Sequence, residues 1–513
     1  MSSPQEVAVT RTRQRAVLGV ICLSLATVVA AVASLNVAVP SIARDTHASL
    51  TQLSWIIDAY ALVFAALLLL GGAIGDRFGR RRALLAGLTV FGGASAAAMA
   101  TDSAGMLIAM RGLLGVGAAL VMPATLSTIT STFPREERSR AVGTWAGVAG
   151  ASAILGLLAS GLLLEAWSWR SVFALNIALA AAAIIGTLLV IPESADPRAP
   201  KLDLVGALFT VAGLGILVYS IIEAPVVGWA HWHTIGGLGA GIAILVGFVY
   251  WELSRPNPLL DPRLFRNRVF AAGTLSLTLQ FFAFFGFVFL VLQYLQLVLG
   301  NSPLVAALSL IPMALGMMPS ARVIAPRLAA RAGTRATCVA GLLLISTGLA
   351  VLAQLDSSSS YWLLLCGLLP LGAGMGLAMT PATTAITDAL PPSQQGIGSA
   401  VNDLTRELGG ALGIAVLGSI MQSAYRDQLD LSGLPGPVAA QARDSVAVAL
   451  RLGSPAADRA REAFADGMST ALICAAVVVV CAAAAVAALL RHGRPAAVAL
   501  TRQEATATPI ESA

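Results

Sequence analysis

Charged side chains are scarce in this sequence, and the few that interrupt its apolar runs are the places where chemistry could occur. Asp58 sits in the apolar run 54–71, one helical turn from Trp55. Arg111 lies deep in the run 106–128, and Asn402, Asp403, Arg406 and Glu407 form a polar group inside 398–421. Spacings of three and four bring Asp403, Arg406 and Glu407 within reach of one another on a helix. An ionisable group in an apolar span is costly to keep, so its default role is to carry protons or ions. Asp58 is therefore a candidate proton or cation site, and Glu407, deeper than Asp403, is the second. A buried guanidinium must have a partner, so Arg111 needs a carboxylate or a carbonyl beside it. The structural alternatives are a hydrated Asp58 near the outer surface, an Arg111 paired with Asp58 or a carbonyl, and a local ion pair among 403, 406 and 407. Arg322, Asp388 and Glu223 fall near the ends of apolar runs, where a charged head reaches water.

Other chemistries have less support. Cys22, Cys338, Cys366, Cys474 and Cys481 all stand in apolar runs without metal spacing and read as small core residues. Of His47, His231, His233 and His492, only His231 and His233 are close together, in what reads as an outer aromatic loop. A membrane-embedded enzyme would need a His, Asp and Glu set at one interface. An ATP-driven pump would need a Gly-x-x-x-x-Gly-Lys-Ser/Thr loop, which the sequence lacks. Neither a metal nor a cofactor is expected. The net charge of +6 is small for 513 residues and gathers in particular loops, so nucleic acid is not the expected partner.

The elements that must position these residues are membrane helices. Hydrophobic residues make up 57% of the chain and charged ones 11%, against roughly 25% charged in soluble domains. The mean hydropathy is +0.82. Only helices and closed barrels satisfy every backbone group in lipid, and the alternating strands of a barrel are absent. The reading is an all-α polytopic membrane protein with about fourteen apolar segments of spanning length. Arg11, Arg13 and Arg15 precede a first run, 16–39, that is too long for a signal peptide. The tenth and eleventh spans are expected at 304–321 and 336–354, and the last at 467–490. Arginines recur in alternate loops, which places both termini in the cytoplasm if the number of spans is even. The divisions are a cytoplasmic tail 1–15, a six-helix bundle 16–191, a linker with an inserted helix pair 192–269, a second six-helix bundle 270–490, and a disordered cytoplasmic tail 491–513. The segment 422–466 is a long extracytoplasmic loop in which 437–451 and 456–466 could form short surface helices. A weak internal repeat aligns Gly333 on Gly79, as two halves rocking about a central site would require.

The segment GGAIGDRFGRRR, residues 71–82, resembles the cytoplasmic signature of the major facilitator superfamily, Gly-x-x-x-Asp-Arg-x-Gly-Arg-Arg. In physical terms Gly72 and Gly75 would let two helices approach closely, Asp76 could meet a helix N-terminus or an arginine, and Arg77, Arg80 and their neighbours would hold the loop at an anionic surface around Gly79. NVAVP at 36–40, WIIDAY at 55–60, Arg111 with Gly115, SWRSVFALN at 168–176, IPES at 191–194 and RELGGALG at 406–413 are similar to segments of its fourteen-helix drug:proton antiporter branch, the EmrB/QacA type. The resemblance implies a fold of two six-helix bundles plus two inserted helices, and export driven by the proton gradient. It implies a proton-transfer role for Arg111. The departures fall on coupling residues. The branch's first-helix Asp is Ala31, its fourth-helix Gln is Leu114, and its Gly-Pro-x-x-Gly-Gly motif keeps Gly156 and Gly161 but has Leu157 for the Pro. The carboxylate lost at 31 has a counterpart at 58 on the next helix. Gly147, Gly150, Gly156 and Gly161 still offer a close-packing face.

The proton-coupling set is therefore Asp58, Arg111, Asp403, Arg406 and Glu407. The substrate cavity is expected between the halves, lined by Asn36, Trp55, Tyr60, Gln280, Gln293 and Tyr294 and by some of the phenylalanines at 281–285. Hydrophobic or cationic small molecules and protons are the expected ligands, with the lipid bilayer of the inner cell membrane as the setting and no obligate protein partner. Uptake or export of one endogenous metabolite or antibiotic, on the same fold, is the alternative that the altered fifth-helix motif leaves open.

Overall fold

The computed structural model describes residues 4–195, 202–256, 258–390, 395–431 and 435–492. Of the expected tails only 1–3 and 493–513 lie outside the described residues, as do 196–201 of the linker. The described residues contain helices and turns only, in the order α1 Pro4–Thr46, α2 Leu50–Phe78, α3 Arg80–Met99, α4 Ala104–Thr132, α5 Arg135–Ala166, α6 Arg170–Val190, α7 Leu204–Val227, α8 Trp232–Leu253, α9 Arg268–Gln293, α10 Pro303–Leu308, α11 Ile311–Pro319, α12 Ala325–Leu352, α13 Tyr361–Asp388, α14 Gln395–Gln428, α15 Gly436–Asp444, α16 Val446–Ala449 and α17 Ala456–Leu489. Thirteen helical stretches among the described residues are long and apolar enough to cross a membrane. Their outward faces are apolar: Leu189 is 79% exposed, Trp232 69% and Leu208 66%, a surface suited to lipid rather than water.

Several boundaries differ from the sequence reading: α1 begins at Pro4, so 4–15 of the expected tail is helical, and α14 runs on to Gln428, into the expected long loop. The stretch Pro303–Leu352 is 50 residues long, because helix continues through the arginine-rich segment around Arg322 and Arg327 where a loop was expected. It changes to a π turn at Ser320–Ile324 and is broken at Gly333, with φ 84 and ψ 163. Ala-rich sequence also carries α17 back to Ala456, so 456–466 belongs to the last long helix and is no surface helix. The remaining loop holds α15 and α16, whose Ala442, Val446 and Ala449 are buried.

Helices α1 to α6 form one bundle, and α9 to α14 with α17 form the other. Gly79, between α2 and α3, has φ 115, and Gly333 stands at the matching place in the second bundle. Both values are in the left-handed region that glycine enters without a Cβ penalty. The repeat seen in the sequence thus reappears as two equivalent helix breaks. Helices α7 and α8 pack on each other, and α7 also lies against both α2 of the first bundle and α14 of the second.

The contacts that join the bundles gather at the end opposite Gly79 and Gly333. There the Gln296 amide Nε2 donates to the Val37 carbonyl at 3.0 Å, and Gln422 Nε2 donates to Thr51 Oγ1 at 2.9 Å. The Leu304 amide donates to Glu165 Oε1 at 3.4 Å, and Arg451 Nη2 donates to the Arg44 carbonyl at the end of α1 at 2.7 Å. Gln296 owes its reach to a π turn, Tyr294–Val298, that continues α9; such turns cluster at functional places in helices.

Candidate functional site

The α2–α3 junction is a built latch. Asp76 Oδ1 accepts from Arg80 Nε at 3.0 Å and from Nη2 at 2.9 Å. Glu193, just after α6, accepts from the Arg81 amide at 3.2 Å and lies 3.6 Å from Arg82 Nε. A Cβ at Gly79 would fall 2.4 Å from Glu193 Oε1, so the carboxylate occupies the space that glycine leaves. Its place at the first turn of α3 also sets it against that helix's positive end. The close helix approach expected of Gly72 and Gly75 occurs instead at Gly71, where a Cβ would meet the Ala119 carbonyl oxygen at 2.0 Å. Gly72 and Gly75 make only ordinary contacts, at 3.4 Å to Pro123 and 3.5 Å to Ala83.

On α5, Gly156 receives α1 and Gly161 receives α10. Their added Cβ atoms would lie 2.7 Å from the Ala30 carbonyl oxygen and 2.9 Å from Leu304 Cα. Gly147 and Gly150 have nothing within 4 Å, so the expected close-packing face is confined to 156 and 161.

A small cavity of about 10 Å³ lies on the seam between the bundles, lined by Asn36 and Val32 of α1, Tyr60 and Ile57 of α2, Arg111 of α4, Phe285 of α9, and Glu407, Gly410 and Ile414 of α14. That volume holds about one water. Arg111 is 1% exposed. Its Nε donates to the Ile56 carbonyl at 2.8 Å, and its guanidinium stands 4.5 Å from the Tyr60 ring centre. Arg111 therefore found a carbonyl and a ring rather than Asp58. Tyr60 Oη and Asn36 Oδ1 are buried without hydrogen-bond partners among the described residues, so the pocket keeps polar capacity for a ligand or water.

Asp58 is fully buried rather than exposed to solvent, and neither carboxyl oxygen has a hydrogen-bond partner among the described residues. Its neighbours one turn away fix its direction. Ser54 faces Gly418 of α14, and Leu62 packs with Leu214 and Val218 of α7 and Ala415 of α14. Asp58 is thus on the face of α2 that meets the second bundle and α7.

Asp403 and Arg406 approach to 4.0 Å, as their spacing allows, while Glu407 faces the cavity. Asn402 accepts from Thr383 Oγ1 of α13. Of the expected cavity residues, Asn36 and Tyr60 line it. Trp55 instead packs on Tyr219 of α7 and donates to Glu223 Oε1 at 3.3 Å, so Glu223 is half-buried and bonded where a wet position was expected. Tyr294 donates to the Asp356 carbonyl at 2.6 Å, anchoring the α12–α13 loop rather than facing the pocket. Gln280 bonds Ser276, Gln293 bonds the Phe289 carbonyl, and each keeps a buried Oε1 without a partner among the described residues, away from this pocket. Sequence reasoning missed Gln296, Thr51 and Gln422. The signal for Gln296 and Gln422, an amide in an apolar run, was the one applied to Gln293.

Two helical bundles that meet around a buried polar pocket, joined at one end, define a multi-pass membrane transporter rather than an enzyme. The chain belongs to the Major Facilitator Superfamily, which residues 21–414 match. It is 34% identical over 448 residues to the methyl viologen resistance protein SmvA of Salmonella typhimurium, covering 85% of this chain and 90% of that one. It is 32% identical over 480 residues to the multidrug efflux pump LfrA of Mycolicibacterium smegmatis, covering 91% and 95%. Among solved structures it shares the fold of a bacterial homologue of the human lysosomal transporter Spinster, determined in an inward-facing, unoccupied conformation, with TM-score 0.66, 16% identity, and coverage of 96% and 98%.

Proposed function

We propose that the chain exports hydrophobic or cationic drug-like molecules across the inner membrane in exchange for protons, by alternating access, as a member of the fourteen-helix drug:proton antiporter branch. The observation that carries this reading is the burial of Asp58, without a hydrogen-bond partner among the described residues, on the face of α2 that must separate from α14 when the halves rock. An isolated buried charge costs several kcal/mol. A group that holds a proton while covered, and yields it when the seam opens to water, links proton movement to the conformational change. The names of SmvA and LfrA support resistance and efflux. The use of Gly156 and Gly161 as close-approach points supports retained fifth-helix function despite Leu157.

The fifty-residue stretch broken at Gly333 would supply two crossings, which brings the thirteen stretches to a count of fourteen and returns both termini to one side. Arginine enrichment in the loops at 77–82, 135–140 and 263–268 assigns that side to the cytoplasm. On this assignment the joined end is extracytoplasmic, and the structure faces inward.

The test is a vesicle assay on inside-out membranes holding an imposed pH gradient. Addition of ethidium should discharge the gradient with wild type and fail to do so with Asp58→Asn. Discharge by Asp58→Asn at the wild-type rate would refute the coupling role and move it to Glu407 or Asp403. Silence from well-expressed wild type would turn the substrate to a single metabolite or antibiotic.

A further inference from the structure

We infer that Arg406 acts as a tethered internal cation on the aromatic wall of the central site, so that a cationic ligand must displace it to bind; this specificity role rests on the transport reading above. The wall is a cluster of three rings on α9. Phe284 and Phe285 meet edge to face with centroids 5.1 Å apart, and Phe281 stands 6.1 Å from Phe284 and 6.0 Å from Phe285. Phe285 lines the seam cavity beside Glu407. It is pressed against α14, since a Cβ on Gly410 would come within 2.8 Å of its Cδ2. The ring faces carry the negative side of the aromatic quadrupole, the surface that holds lipophilic cations.

That surface is already occupied. The Arg406 guanidinium carbon stands 4.7 Å from the Phe281 centroid. Two arginines in this region sit on rings, but only one can leave. Arg111 is almost wholly buried and fixed by its bond to the Ile56 carbonyl. The Arg406 side chain is 37% exposed, and its one ion-pair contact among the described residues is Asp403 at 4.0 Å, the outer limit for such a pair. Arg406 can therefore swing from the ring towards Asp403 without stranding a buried charge. A cation arriving on Phe281 would take over the ring interaction and leave Arg406 with its carboxylate. A neutral aromatic molecule gains nothing from the displacement. Arg406 thus sets a penalty specific to charge.

The experiment uses the full-length protein in lipid nanodiscs without any gradient, with ethidium as a planar cation and phenanthridine as an uncharged counterpart. Arg406→Gln should tighten ethidium binding about five-fold, the equivalent of a cation–π contact of about 1 kcal/mol no longer in competition. Phenanthridine binding should move by less than about two-fold. Phe281→Leu should weaken ethidium and leave phenanthridine closer to wild type. Arg406→Lys, which keeps a cation, should stay near wild type for both, and it serves with Phe281→Leu as the test if Arg406→Gln does not fold. Unchanged or weaker ethidium binding in Arg406→Gln overturns the inference, as does tightening of both probes alike or absence of ethidium binding in wild type and Arg406→Gln together. Because no gradient is used, failure of proton coupling would leave these affinities untouched, and intact coupling with unchanged affinities would sink this inference alone.

Discussion

Replacing Gly161 by alanine should shift the balance between the two arrangements of the bundles, while the same change at Gly147 on the same helix should not. A Cβ on Gly161 falls 2.9 Å from Leu304 Cα, 3.3 Å from its Cδ1 and 3.4 Å from Ala307 Cβ. Carbon atoms sit best at about 3.5–4.0 Å. The nearest atom is backbone and cannot rotate aside, so α5 and α10 must part by roughly half an ångström or more. Forcing one methyl into such a contact costs about 1–3 kcal/mol. The two helices belong to different bundles, so the cost falls on the arrangement in which they touch, and the other arrangement gains by roughly 5- to 150-fold in relative population. Spin labels at Asp45 and Gln354, both exposed and at the joined end on opposite bundles, would report the change by pulsed electron resonance, in a background without the native cysteines. The expected record is a longer-distance population in Gly161→Ala that is absent from Gly147→Ala, where nothing lies within 4 Å. An unchanged distance distribution in Gly161→Ala, or an equal shift in both, would refute the assignment of α5 and α10 to the moving seam.

Two more outcomes are expected in the loops. Gly79→Ala combines a left-handed backbone with a Cβ 2.4 Å from Glu193 Oε1, so it should destabilise the protein by about 1–3 kcal/mol; Gly75→Ala, with only an ordinary contact at 3.5 Å, should cost less than half of that in the same thermal melt. In the α12–α13 loop the Ser358 amide, then the Ser359 and Ser358 hydroxyls, hold the exposed Asp356 carboxyl below its ordinary value of 3.8. A depressed folded value stabilises the fold above pH 3.8 and loses that contribution as the pH falls through it. The Ser358→Ala, Ser359→Ala double variant should therefore melt below wild type at neutral pH and converge on it in strong acid. A gap that persists in acid would assign the effect to the turn itself rather than to the charge.

Much of the fold was legible because membrane helices write their length and apolarity directly into sequence, and because the motif at 71–82 is specific in residue type and spacing. The equivalence of Gly333 and Gly79 was legible as a weak internal repeat, though the helix that runs up to Gly333 was not. Boundaries failed where composition and conformation part company. Ala-rich 456–466 is as helical as the apolar span 467–489 that it leads into, and helix runs on through Arg322 and Arg327 until a glycine interrupts it. The polar members of the site, Asp58, Arg111 and Glu407, stood out because charge in an apolar run is rare. Their partners did not. Whether Arg111 would meet Asp58 or a carbonyl depends on the rotation of α4 against α2, which spacing along one chain does not contain. Trp55 and Tyr294 illustrate the same gap: each has the chemistry of a cavity residue, and each is turned towards another helix or loop.

Trp55 also bears on what α7 and α8 do. It packs on Tyr219 and bonds Glu223, both on α7, and one turn further along α2 lies Asp58. Leu62, the next residue on that face, packs against Leu214 and Val218 of α7. The cover over Asp58 is therefore shared between the second bundle and α7. Helix α8, by contrast, touches the bundles little and presents apolar side chains outward. The pair is thus asymmetric, with α7 sealing the α2–α14 seam and α8 returning the chain across the membrane to α9.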